Sequence, residues 1–236
     1  MRLLAGMALA VVCAAQTLTI PPVKTSLNLE GQPVGIAIWG TVSAEPAGPV
    51  RLSVTVDLGD FQEKLTPVLA AQLNRSERCG ERLSVERVVL APAAPSGVLT
   101  AHVHYERFGC VKAFGKEVVK RLVGGHAVVE VNLTPSVAGD RIVLAAEVRK
   151  IDADGSLGEA LRSGSFGDSI RDKIAASIES AIGKATDRQS MLPAGIEKPA
   201  AIETARFADG KDGRLWLQIA GEVHIPVEEL RRLVKQ

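Results

Sequence analysis

Residues 99–105, Leu99-Thr100-Ala101-His102-Val103-His104-Tyr105, alternate strictly between apolar and polar side chains. In an extended chain successive side chains point to opposite faces. Leu99, Ala101, Val103 and Tyr105 should therefore face a core, and Thr100, His102 and His104 should face water. The flanking sequence repeats the pattern. Downstream, Lys116 to Val123 and then Val128, Val129, Val131 and Leu133 continue a sheet. Ala138-Gly139-Asp140 turns the chain into Ile142, Leu144, Ala146 and Val148, and Asp154-Gly155 ends that strand. Upstream, Leu83, Val85 and the Val88-Val89-Leu90 run form another strand, followed by a turn over 91–97 that contains Pro92 and Pro95.

Further toward the N-terminus, Val34, Ile36, Ile38 and Val42 mark one strand, and Leu52, Val54, Val56 and Leu58 mark a second. Glu45-Pro46-Ala47-Gly48-Pro49 between them reads as a hairpin turn. A helix over Asp60–Asn74 follows, with Leu65, Val68, Leu69 and Leu73 as its apolar stripe. Asp60 and Glu63 have capping-box spacing, and Pro67 should delay or bend the helix. A second helix, Ser169 to Thr186, carries Ile170, Ile174, Ile178 and Ile182 at four-residue intervals, with charged residues opposite. The last module is a hairpin, Ile202–Phe207 against Leu215–Ile225, with a short helix from Pro226. The order of elements implies the α+β class with a largely antiparallel sheet.

The chain of 236 residues begins with Arg2, an apolar run from Leu3 to Val12, and the small residues Ala14 and Ala15. This is the pattern of a cleavable signal peptide over residues 1–15, with Gln16 as the new N-terminus and a periplasmic or secreted destination. The expected organisation is a main domain over 16–187, a linker over 188–200, and the terminal hairpin and helix over 201–236 packed on the main domain. Net charge is +1 and no basic segment stands out, which argues against nucleic acid as a partner. Hydrophobic residues make up 46% but aromatics only 3%, so the apolar content is aliphatic. Such a composition suits an ordinary core and also suits a cavity for acyl chains.

Removing residues 1–15 takes Cys13 away and leaves Cys79 and Cys110, an even pair in an oxidising compartment, expected to be disulfide-bonded. His102 and His104 share one strand face; His126 and His224 are available as further ligands, but the sequence cannot place them nearby, so metal binding is not expected. Asp152-Ala153-Asp154-Gly155 resembles the start of a calcium loop but lacks its later ligands, and a hairpin turn explains it. Ser163-Gly164-Ser165-Phe166-Gly167 lacks the first glycine of a nucleophile elbow. No catalytic residue and no cofactor are expected.

From Val50 to Ile182, a hairpin, an amphipathic helix, long valine-rich strands with the Cys79/Cys110 pair and the isoleucine helix follow one another. This organisation resembles the tubular lipid-binding (TULIP) proteins, the group of bactericidal permeability-increasing protein and SMP domains. The resemblance implies a curved antiparallel sheet packed around a long amphipathic helix. It also implies an apolar groove in which Ile170, Ile174, Ile178 and Ile182 contact a lipid or other amphiphile. The expected function is an exported lipid-binding or lipid-transfer protein. The alternative is a non-enzymatic structural or interaction protein of the cell envelope, with envelope proteins as partners.

Overall fold

A computed structural model describes residues 16–44, 49–113, 116–139, 141–161 and 200–223. The elements are β1 (Gln16–Leu29), β2 (Gln32–Ala44), β3 (Val50–Asp57), α1 (Gly59–Leu73), β4 (Arg75–Ser76), β5 (Glu81–Ala93), β6 (Ser96–Ala113), β7 (Lys116–Ala138), β8 (Arg141–Ala153), α2 (Gly155–Leu161), β9 (Ala200–Asp209) and β10 (Leu215–Val223). They form two five-stranded sheets, ordered β1-β2-β3-β10-β9 and β4-β5-β6-β7-β8. Every pairing is antiparallel.

The expected α+β arrangement, a curved sheet around a long amphipathic helix, is therefore corrected. Among the described residues the fold is two antiparallel sheets with one 15-residue helix and one short one. The packing gives the reason. One cluster of buried side chains takes Val54 and Val56 from the first sheet, Leu99, Val103, Val129 and Val131 from the second, Leu65 and Leu69 from α1, and Leu157 from α2. Among the described residues, aliphatic rows on long strands supply most of that core, with α1 and α2 packed against them. The helix expected over 169–186 lies outside the described residues, as do the signal peptide and most of the linker.

The alternation around residues 99–105 holds: Leu99, Ala101, Val103 and Tyr105 are buried, and His102 and His104 are half-buried on the opposite face. The two hairpins expected on either side, β2–β3 and β9–β10, both form, and β10 pairs with β3 within one sheet. Sequence reading missed β1, which contains Pro21 and Pro22. Its pairing with β2 shifts register between Ile20 and Val23, across those prolines. An edge strand tolerates proline at such a break because the missing N–H is not needed for a second neighbour.

In α1 the stripe Leu65, Val68, Leu69 and Leu73 is buried, and Pro67 lies inside the helix on its exposed side. The capping box is not formed. Leu58 occupies the N-cap position without a side-chain bond, and Asp60 sits in the first turn. Its carboxylate instead accepts hydrogen bonds from Lys64 Nζ, at 2.8 Å, and from the Gly35 N–H of β2. Lys64 first, and then the Gly35 N–H, hold the Asp60 carboxyl below its ordinary range.

The same helix covers the outer edge of β5, where β4 offers only two residues as a partner. Asn74 Oδ1 accepts the Val85 N–H at 2.8 Å, Thr66 Oγ1 accepts the Val88 N–H at 2.9 Å, and Gln62 Nε2 donates to the Leu90 carbonyl at 2.7 Å. Side chains of one helix thereby satisfy backbone groups that a bare edge would leave unpaired.

Residues 152–155 form a strand-to-helix corner rather than a hairpin turn. Gly155 adopts φ +56°, the Asp154 carbonyl receives the Gly158 N–H at 2.9 Å, and Leu157 is fully buried against the sheet. A side chain at Gly125 would meet the Asp154 carbonyl oxygen at 2.6 Å, so glycine there lets α2 lie close on β7.

Candidate functional site

Two surface features of the second sheet stand out, and both lie along the long β6–β7 ladder. The first is its outer hairpin. Val111 pairs directly with Val118 across the two strands, and both are exposed, at 66% and 52%. Leu122, 58% exposed, is the extra residue where the register shifts between Arg107/Val123 and Phe108/Arg121. A Cβ on Gly109 would lie 3.1 Å from a Leu122 methyl, so Leu122 folds over the glycine. Gly109 lies two residues before Val111 on β6, and the three apolar side chains therefore share one face.

Charge is dense along this hairpin. Residues 106–123 contain five cations, Arg107, Lys112, Lys116, Lys120 and Arg121, against the carboxylates Glu106 and Glu117. Arg121 is ion-paired with Glu106 at 3.2 Å. Lys120 is exposed on the same face as the valines, opposite Gly109, whereas Lys112 follows Val111, stands opposite Glu117 and points to the Cys110 face.

The expected disulfide is present. Cys79 and Cys110 are bonded with Cα atoms 5.6 Å apart, tying the segment before β5 to the outer half of β6. Cys110 precedes Val111 and so points to the other face, where the Arg82 guanidinium also lies 4.2 Å over the Phe108 ring. Cys79 Sγ lies 3.7 Å from Glu117 Oε1, but both sulfurs are committed to the disulfide.

The second feature is a histidine pair. His104 stands directly opposite His126, with ring centroids 4.6 Å apart and planes tilted by 56°. Glu86 of β5 reaches the same place: its carboxylate is 3.2 Å from His126 Nδ1. Glu86 gets there because β5 shifts register against β6 between Val85 and Arg87, which leaves it as an unpaired bulge residue. One donor atom from each of Glu86, His104 and His126 falls within 4.8 Å of the others. His102, the residue paired with His104 in the sequence reading, is not part of this group. His224 lies outside the described residues.

Sequence alone supplied His104 and named His126 as available, but could not place them together. Glu86 left only a faint trace, two consecutive exposed residues, Glu86 and Arg87, between buried Val85 and Val88. Val118 and Leu122 were read merely as sheet, and Val111 was assigned to no element. The residues expected to line a groove, Ile170, Ile174, Ile178 and Ile182, lie outside the described residues. A shallow apolar dent between Leu52, Val54, Ile202 and Ile219 has about 10 Å³ of free volume, room for a single water and far short of a ligand cavity.

No family model matches the chain. No curated protein matches it either. One solved structure does, the crystal structure of a lipopolysaccharide binding protein. It aligns with 75% of this chain at a TM-score of 0.40 and 9% sequence identity. The chain spans about a third of that protein's length, 33% of the chain being covered. Identity and overlay this low carry no argument for a shared fold or ligand.

Proposed function

We propose that this is an exported lipid-binding protein that meets lipid through the apolar, cation-flanked face of the β6–β7 hairpin. The observation that carries this reading is the exposure of Val111, Val118 and Leu122 together beside Lys120. Isolated exposed aliphatic residues are ordinary on protein surfaces, but a contiguous apolar face with a cationic rim fits the boundary between water and an anionic bilayer. The disulfide supports an oxidising destination, since such bonds are rare in reducing compartments. Holding or transferring an acyl chain in a groove around Ile170, Ile174, Ile178 and Ile182 is the finer form of this proposal. Among the described residues no helix is long and apolar enough to cross a membrane.

The second reading is a structural or interaction protein of the envelope, with the same hairpin face covered by a partner protein. The filled core between the two sheets favours it. Vesicles decide between the readings. The protein should sediment with phosphatidylcholine vesicles containing about a third phosphatidylglycerol, and much less with phosphatidylcholine alone. Organic extracts of purified material should also contain lipid if the finer proposal holds. Failure to bind either vesicle would remove the lipid reading and leave the envelope protein.

A further inference from the structure

We propose that Glu86, His104 and His126 form a binding site for a divalent transition-metal ion, Zn²⁺ being the best match. The proposal stands apart from the lipid reading and rests on three adjacent strands converging on one point. Register places His104 of β6 and His126 of β7 directly opposite each other, and the bulge in β5 adds the carboxylate of Glu86 from the other side of β6. Their donor atoms lie within 4.8 Å of one another, so adjustments of about 1 Å would bring them to bonding distances of roughly 2.0–2.2 Å around a single ion. His126 and Glu86 are exposed, so their side chains have room to make that adjustment.

The two imidazoles lie with ring centroids 4.6 Å apart, close enough for one nitrogen of each to reach a single ion. His104 Nδ1 is buried from water and has no hydrogen-bond partner. The other acids nearby have other attachments. Glu106, 3.8 Å from His104 Nε2, is paired with Arg121, and Asp154 Oδ1 accepts the backbone N–H of His126 at 2.8 Å. That last bond, with the return bond from the Asp154 N–H to the His126 carbonyl at 3.0 Å, fixes the backbone from which the ring projects.

The donor set defines the class of ion. Two imidazole nitrogens and one carboxylate suit Zn²⁺, Ni²⁺ or Cu²⁺, whereas Ca²⁺ and Mg²⁺ take oxygen ligands almost exclusively. Three protein ligands leave a fourth position toward solvent for water or an exogenous ligand. An ion here would also join β5, β6 and β7 at mid-sheet and raise resistance to unfolding in proportion to its affinity and concentration.

The test is calorimetric titration of the metal-free, disulfide-bonded protein with ZnCl₂ at pH 7.5, with CaCl₂ in parallel. One Zn²⁺ per chain should bind with a dissociation constant below about 50 µM, and Ca²⁺ should give no saturable signal. His126→Ala and Glu86→Gln should each weaken Zn²⁺ binding at least about tenfold, in line with loss of one ligand. His102→Ala, on the same strand face but outside the group, should leave it unchanged. Circular dichroism confirms that each variant is folded, and exposed His126 and Glu86 are not needed for the core. Absence of saturable Zn²⁺ binding overturns the proposal, and so does equal binding by the wild type and both ligand variants.

Discussion

Gln62 of α1 donates from Nε2 to the Leu90 carbonyl of β5 at 2.7 Å, while its Oε1 accepts the Leu215 N–H of β10 at 2.7 Å. A single side-chain amide thus joins the two sheets through the helix between them. The Gln62→Leu variant keeps the volume but leaves a part-buried carbonyl and a part-buried N–H without those partners. An orphaned buried group costs about 1–3 kcal/mol, so the variant should lose about 2 kcal/mol or more in urea unfolding. Unchanged stability would show that water replaces both bonds.

How much of this was legible in the sequence depends on range. Period-two alternation identified β2, β3, β6 and β8, because burial of one sheet face is written locally in each strand. The α1 stripe was legible for the same reason at helical period. Register was not. The bulges at Glu86 and Leu122 each change which face a residue occupies, and only the consecutive Glu86 and Arg87 hint locally at either of them. Both candidate sites depend on those bulges, so the sites were less legible than the fold. Asp60 shows a related failure: its spacing to Glu63 suggests a local cap, but Gly35 and Lys64 compete for the carboxylate and win.

The disulfide should contribute measurably to stability. Cys79 and Cys110 are 31 positions apart. In the chain-entropy view, closing a loop of that size stabilises the fold by about 3–4 kcal/mol. The Cys79→Ser/Cys110→Ser variant should unfold at correspondingly lower denaturant. Ellman titration of the denatured, unreduced wild type, lacking residues 1–15, should find no free thiol. Two free thiols would contradict the bonded pair.

Tyr105 is the chain's single tyrosine, so its ionisation can be followed without interference from another phenol. Burial, and after it the neighbouring Glu81 carboxylate, push its hydroxyl up to about 12 from an ordinary 10.0. Absorbance near 295 nm should therefore titrate around pH 12 in the folded protein and around pH 10 in concentrated denaturant. The sign follows from linkage. Between those values the unfolded chain has lost the proton that the folded chain keeps, so stability is intact below pH 10 and falls as pH rises toward 12. A folded-state midpoint near 10 would mean that the ring is reached by solvent.

The hairpin face makes the sharpest demand on the lipid proposal. Val111, Val118 and Leu122 already have part of their surface covered, so transfer of the rest into a bilayer interface is worth about 1 kcal/mol each. Lys120, on the same face, adds about 1 kcal/mol near an anionic surface at low salt. Together these contributions amount to about 4 kcal/mol, which corresponds to partitioning in the millimolar range, and each can be removed separately. Val111→Ser/Leu122→Ser should reduce binding to anionic vesicles about tenfold or more, since 1.4 kcal/mol corresponds to a factor of ten. That loss should persist in low salt, because it is apolar in origin. Lys120→Glu should also weaken binding, and the difference from wild type should shrink as salt rises and screens the charge. These side chains lie outside the buried core cluster, so both variants should unfold at nearly the wild-type denaturant concentration. Vesicle binding that survives both substitutions would place lipid contact elsewhere on the chain. Loss of binding only with loss of the fold would return the face to a structural role.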